Sequence, residues 1–195
     1  MIRTFVAVFP PPEVRKALFQ AAQNLPTSKE FRLVAPKNIH LTLKFLGDVA
    51  EDKLDNIKQA LQPIREIHAP FEVSTSAFGA FPSEKKARIL WVGIEAGSQN
   101  LRTTAEDVEN FLAPAGFERE TRPYLPHLTL GRSRSRQTRL PTPQTSPHPL
   151  RFTVSSIDLL KSTPAPDGVT YSILATYPFA SSQQVSTSAS QPSKS

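Results

Sequence analysis

The sequence predicts a mixed α and β fold made of two similar β–α–β–link–β halves, on three observations. Short Val- and Phe-rich runs bounded by proline or glycine alternate with segments whose apolar residues recur at helical spacing. Three stretches then repeat in the same order. Phe5-Val6-Ala7-Val8 returns as Trp91-Val92-Gly93-Ile94, and Phe71-Glu72-Val73-Ser74 as Phe152-Thr153-Val154-Ser155. Between them, His40-Leu41-Thr42-Leu43 recurs without change as His127-Leu128-Thr129-Leu130. The offsets are 86, 81 and 87 residues respectively, the short one falling where the second half replaces a helix with a Pro-rich loop.

Residues 2–9 form the first strand, apolar and closed by Pro10-Pro11-Pro12. A helix follows, because Val14, Ala17, Leu18, Ala21 and Leu25 share one face and Pro12 suits a first turn. His40 to Leu46 is the next strand, stopped by Gly47-Asp48. Leu54, Ile57, Leu61, Ile64 and Ile67 mark an amphipathic helix that Pro63 kinks or ends early. Phe71 to Ala80 and Arg88 to Glu95 are strands. Leu101, Ala105, Val108, Phe111 and Leu112 mark a further helix, with Ser98 as its N-cap. Strands are expected again at His127 to Arg132, Phe152 to Leu160 and Val169 to Tyr177. Ser133 to Pro149 carries three arginines and four prolines and reads as an irregular loop within a single domain of residues 1–180. Residues 181–195, mostly Ser, Gln and Thr, offer almost nothing to bury and read as a disordered tail.

With 195 residues, 38% of them hydrophobic, the chain can bury a core as one domain or two packed lobes. The absence of cysteine excludes disulfides, thiolate nucleophiles, iron–sulfur clusters and Cys-based zinc sites. Lys and Arg outnumber Asp and Glu by 23 to 17, a net charge of +6 that favours a polyanionic partner such as nucleic acid. The apolar run Phe5 to Phe9 is too short for a secretory signal. No run approaches the ~18 apolar residues of a membrane-spanning helix. A cytoplasmic location without membrane association is expected.

The repeated tetrapeptide carries the chemistry. Residues i and i+2 of a strand point to one face, so His40 projects with Thr42 and His127 with Thr129, while the leucines face the core. A lone His-x-Thr in a strand is ordinarily structural, its ring nitrogen satisfied by a neighbour. Duplication for packing would preserve the leucines without also preserving a polar His and Thr opposite them. Two imidazoles near neutrality supply one proton acceptor and one donor. Threonine hydroxyls can donate to phosphoryl oxygens, where charge gathers in the transition state. That set suits cleavage of a strained cyclic phosphodiester without metal or nucleophilic side chain.

The flanks of these motifs extend the pattern. They are Arg3-Thr4-Phe5-Val6-Ala7-Val8, Pro36-Lys37-Asn38-Ile39-His40-Leu41-Thr42-Leu43-Lys44-Phe45-Leu46-Gly47, Ala80-Phe81-Pro82 and Ile89-Leu90-Trp91-Val92-Gly93. The last is Arg122-Pro123-Tyr124-Leu125-Pro126-His127-Leu128-Thr129-Leu130-Gly131-Arg132. With them, residues 1–178 resemble the two-histidine (2H) phosphoesterases, and among these the LigT-like RNA 2′,3′-cyclic phosphodiesterases, also called 2′-5′ RNA ligases.

The resemblance implies a bilobal, pseudo-symmetric α+β fold, two antiparallel sheets flanking a central cleft with helices outside. It implies that His40 is the proton donor to the leaving ribose oxygen and His127 the proton acceptor that activates water. Thr42 and Thr129 would hold the phosphate, and Arg132 matches a family arginine near it. Strand parity puts Arg132 on the wrong face unless a bulge or strand end at Gly131 redirects it. The implied reaction opens 2′,3′-cyclic phosphates on RNA ends to 2′-phosphates. Its reverse joins a 5′-hydroxyl in a 2′-5′ linkage, with the acid and base exchanged. No metal or cofactor is implied, and a monomer is expected. The family's connection after the second motif is often helical, unlike Ser133 to Pro149.

Other residues leave two readings open. Lys44 shares the parity of His40 and could reach an RNA phosphate or be a solvated edge charge. Arg134, Arg136 and Arg139 could track an RNA backbone or form a solvated loop. Tyr124, Phe45, Phe81 and Tyr171 could stack on a base or belong to core and rim. His68 and His148 read as exposed loop histidines. The rival functions are cleavage of 2′-5′ oligonucleotides or small cyclic nucleotides, and a non-catalytic nucleotide- or RNA-binding module.

Overall fold

The computed structural model describes residues 1–135, 138–140, 148–166 and 168–180. In chain order these form β1 (Ile2–Val8), α1 (Pro12–Gln23), β2 (Phe31–Leu33), β3 (Leu41–Val49), α2 (Leu54–Ala60), α3 (Ile64–Ile67), β4 (Phe71–Phe81) and β5 (Ile89–Ile94). They continue as α4 (Ser98–Leu112), β6 (His127–Ser133), β7 (Arg151–Val154), β8 (Ser156–Ala165) and β9 (Gly168–Pro178).

Among the described residues the strands form one nine-stranded antiparallel sheet in the order β7-β4-β5-β6-β3-β1-β8-β9, with β2 beside β6. One residue pair, Leu41 against Leu128, joins its two blocks, β7-β4-β5-β6 and β3-β1-β8-β9. The blocks therefore meet at the two copies of the tetrapeptide. Each half of the chain also contributes to both: β2 and β4 lie with β6 and β5, and β8 and β9 lie beside β1. Neither block is complete without both halves of the chain.

Alternation along β1 separates two apolar layers. Val6 and Val8 join the main core, which gathers Val14, Leu18 and Ala22 of α1 and Leu101, Ala105, Val108 and Leu112 of α4. Phe5 and Ala7 point the opposite way and form a small separate cluster with Leu160, flanked by Phe9 and Tyr171. That second cluster floors the cleft.

Most predicted elements stand where expected, and the exceptions have local causes. The helix expected around Pro63 is divided into α2 and α3, because proline can open a helix but not continue one. Strand β3 passes through Gly47, whose φ of +72° lets the chain bulge at Leu46–Gly47 and keep pairing to Val49. Gly97, at φ +75°, is the N-cap of α4 rather than Ser98, which is the first helical residue and accepts a hydrogen bond from Arg102.

The single strand expected from Phe152 to Leu160 is two strands, β7 and β8, on opposite sides of the junction between β6 and β3. The third repeat also changes meaning. Phe71 to Ser74 and Phe152 to Val154 are direct neighbours, with Phe71 opposite Val154 and Val73 opposite Phe152, so similarity there reflects adjacent strands. The short strand β2 has no alternation to announce it. Residues 181–195, and 136, 137 and 141–147 of the expected loop, lie outside the described residues. The described remainder of that loop holds no helix or strand beyond β6, and Leu140 is buried with its N–H donated to the Glu84 carbonyl.

Candidate active site

The Leu41–Leu128 pair sets the geometry. Counting outward along antiparallel strands places His40 opposite Thr129 and Thr42 opposite His127, with all four side chains on the face away from the leucines. The leucines are fully buried, and the four polar groups are half-buried.

Both imidazoles are held alike. Nδ1 of His40 lies 2.7 Å from the Asn38 carbonyl, and Nδ1 of His127 lies 2.7 Å from the Leu125 carbonyl. A carbonyl oxygen only accepts, so each Nδ1 carries the hydrogen. In the neutral rings the lone pair is then on Nε2. Their surroundings differ. His40 is enclosed by Phe5, Phe9 and Tyr171 at ring-centroid distances of 5.0, 5.4 and 5.2 Å. His127 lies against Phe81 at 5.1 Å and Trp91 at 6.1 Å. Trp91 can lie there because Gly79 and Gly93 lack side chains; a Cβ on Gly79 would fall within its ring.

Burial accordingly lowers both imidazoles, His40 to about 4, partly offset by the hydrogen bonds to Asn38 and Leu125. Charge on His127 lowers His40 further, which sets the two rings within electrostatic reach.

A cavity of about 940 Å³ opens beside the pair, lined by His40, Thr42, Thr129 and Arg132 among others, but not by His127. Arg132 reaches it through a bulge. Leu90 pairs with Gly131 and Trp91 with Thr129, so Leu130 is an extra residue that reverses the parity of the strand beyond it. The redirection required at Gly131 thus occurs one residue earlier.

The same device operates in the first half, where Leu43 is the extra residue between the pairs Ala7–Thr42 and Val6–Lys44. It corrects the reading of Lys44. Turned away from the cleft, Lys44 is ion-paired with Glu109 of α4 at 2.6 Å and donates to the Glu118 carbonyl at 2.7 Å. It is neither an RNA contact nor a solvated charge.

The remaining candidates separate clearly. Phe45 and Tyr171 line the cavity. Phe81 packs between Trp91 and His127, and Tyr124 packs against the main core. Arg134 and Arg139 are exposed and outside the cavity lining; Arg136 lies outside the described residues. His148 is exposed, whereas His68 is half-buried, 3.0 Å from Asp107 and tilted against Phe179.

Two arginines of the cleft escape the sequence reading. Arg32 of β2 sits directly opposite Arg132, and Arg3 of β1 also lines the cavity. With Arg132 they give the cavity three guanidinium groups and a positively charged lining. The only sequence signal for Arg32 is its proximity to the first motif. Among the described residues, no helix is long and apolar enough to cross a membrane.

Known proteins with this arrangement can be compared directly. The family model described as LigT-like phosphoesterase matches residues 8–91 and 92–171. An RNA 2′,3′-cyclic phosphodiesterase of Thermus thermophilus is 30% identical over 182 residues, covering 89% of this chain and 88% of that protein. One of Archaeoglobus fulgidus is 34% identical over 131 residues, 67% of this chain and 72% of that protein. The crystal structure of E. coli LigT complexed with 3′-AMP superposes with a TM-score of 0.78 at 26% identity, covering 91% of this chain and 98% of that one. With its duplicated His-Leu-Thr-Leu motif where the two blocks of the sheet join, the chain belongs to the LigT-like phosphoesterases.

Proposed function

We propose that the protein hydrolyses 2′,3′-cyclic phosphates at RNA ends to 2′-phosphates. The observation that carries this reading is the matched anchoring of His40 and His127, each Nδ1–H tied to a backbone carbonyl two residues upstream with Nε2 left for substrate. The activity for which the relatives are named supports the same reading.

In the proposed reaction, water attacks phosphorus and gives its proton to Nε2 of His127. The bond from phosphorus to O3′ breaks, and O3′ takes the proton from Nε2 of protonated His40. Attacking and leaving oxygens stand on opposite sides of phosphorus. The cavity lies on the His40 side, where the bulk of an RNA end would fit, which supports pairing His40 with the ribose oxygen. Thr42 and Thr129 donate to the non-bridging oxygens, and Arg132 neutralises their charge. Run backwards, the same groups join a 5′-hydroxyl to the cyclic phosphate as a 2′-5′ linkage, with acid and base exchanged. The protein is proposed to act as a cytoplasmic monomer without metal.

Phosphorus NMR of the protein with a 2′,3′-cyclic-phosphate oligoribonucleotide in EDTA tests the reading. A 2′-phosphate product is expected, with turnover abolished in both His40→Ala and His127→Ala. A cyclic signal that persists with wild-type protein overturns it.

A further inference from the structure

Resting on this reading of the site, we propose that Arg3, Ser162 and Tyr171 form a second phosphate subsite. It takes the phosphodiester on the 5′ side of the terminal nucleotide, and so favours RNA ends over cyclic mononucleotides. Arg3 opens the apolar flank that forms the first strand, and the reaction gives it no task. It is exposed on the cavity wall. Among the described residues it makes no hydrogen bond and no ion pair.

Strand register builds the subsite. Arg3 stands opposite Ser162 across β1 and β8, and Ser162 stands opposite Tyr171 across β8 and β9. Residues directly opposed in a sheet share a face, and Arg3 shares that of Phe5 two residues on, which floors the cleft. A guanidinium, a hydroxyl and a phenol therefore line the cavity in one row, each able to donate to an anion.

The surroundings of this row are cationic. Burial raises the Tyr171 phenol pKa and the charges of Arg132 and Arg3 oppose that rise, so both guanidinium groups lie within electrostatic reach of the phenol. Arg32 closes the row from the facing wall. Its Nη2 lies 3.5 Å from the place a Cβ on Gly168 would take, so its side chain crosses from β2 to the start of β9. Asp48, opposite Arg3 across β3, forms no ion pair with it.

Position decides which phosphate the row takes. Thr42, proposed to hold the reacting phosphate, pairs with Ala7, four residues along β1 from Arg3 and about 13 Å away along the backbone. Shortened by the length of the Arg3 side chain, that separation is one a single nucleotide spans. Besides the cyclic phosphate, the terminal ribose of an RNA end carries one other phosphate, on its 5′ oxygen. A cyclic mononucleotide lacks it and leaves the row empty.

Calorimetric titration with adenosine 2′-phosphate and adenosine 2′,5′-bisphosphate tests the proposal without turnover. Wild type should bind the bisphosphate roughly 10-fold more tightly, with the advantage shrinking as salt is added. In Arg3→Gln the two affinities should become nearly equal. Arg134→Gln removes an exposed arginine outside the cavity lining and should keep the full ratio. Equal affinities in wild type overturn the proposal, as does a ratio that survives in Arg3→Gln. So does a ratio lost equally in Arg134→Gln, which would make it an effect of net charge. A ratio that depends on Arg3 in a protein that leaves cyclic phosphates intact supports the subsite while removing the hydrolytic reading. Hydrolysis by a wild type with equal affinities does the reverse.

Discussion

The side-chain amide of Asn38 donates to the Val169 carbonyl at 2.9 Å, while the Asn38 carbonyl holds Nδ1 of His40 at 2.7 Å. One residue thus ties the β8–β9 hairpin to the orientation of an imidazole. The matching residue in the other half is Leu125, whose side chain has no such hydrogen bond to offer. Asn38→Ala should lower kcat roughly 10-fold with little change in KM, since small misplacements of a proton-transfer group are costly. The hydrogen bond to Asn38 raises the His40 pKa, so loosening it should move the optimum of the pH profile downward. An unmoved optimum would make Asn38 purely structural.

The pH dependence is set by burial of both imidazoles. One must be protonated and one neutral, and both titrate below the ordinary 6.5 in the free protein. kcat/KM should therefore be bell-shaped with its maximum on the acid side of pH 6.5. Stability should show the same groups. Below pH 6.5 the unfolded state protonates its histidines while folded His40 stays neutral down to about 4, so stability is lost across that window. Thermal melts from pH 7 to 4 should show a smaller loss in His40→Gln than in wild type.

Lys44 and Glu109 form a pair whose side chains are 6% and 13% exposed. Removing one partner strands the other in a poor solvent. Glu109→Ala should cost about 3–5 kcal/mol in denaturant unfolding, with KM unchanged in conditions where the variant is folded. A selective rise in KM would return Lys44 to the substrate.

Arg32 and Arg132 face each other across β2 and β6 beside the cavity. Both guanidinium groups line the cavity beside His40, so Arg32→Gln should raise KM for an anionic substrate roughly 10-fold with little change in kcat. Steady-state kinetics check this, and a selective fall in kcat would move Arg32 from binding to the chemical step.

Much of the fold was legible because its signals are local. Apolar spacing located α1 and α4, Pro63 announced the break between α2 and α3, and the identical tetrapeptides located the strands that meet at the cleft. What stayed hidden was decided at a distance. Nothing around Ser155 says that β7 and β8 go to opposite sides of the sheet, because that depends on which edges are open once β1 and β4 have paired. β2 is too short to carry a period, and so Arg32 could not be read as a cleft residue.

The His and Thr of each motif could be assigned to one face from sequence, since alternation over three residues is a property of the strand itself. Beyond Thr42 and Thr129 that rule fails. An extra residue at Leu43 and another at Leu130 invert it, and no local signal in Leu-Lys-Phe or Leu-Gly-Arg records the inversion. The bulges exist because β1 and β5 impose their registers on β3 and β6. Tertiary pairing therefore decided that Lys44 is buried against α4 while Phe45 and Arg132 face the cleft. It likewise decided the unequal enclosure of the two imidazoles, because burial is set by the neighbours that the whole fold brings up, namely Phe5, Phe9 and Tyr171 on one side and Phe81 and Trp91 on the other.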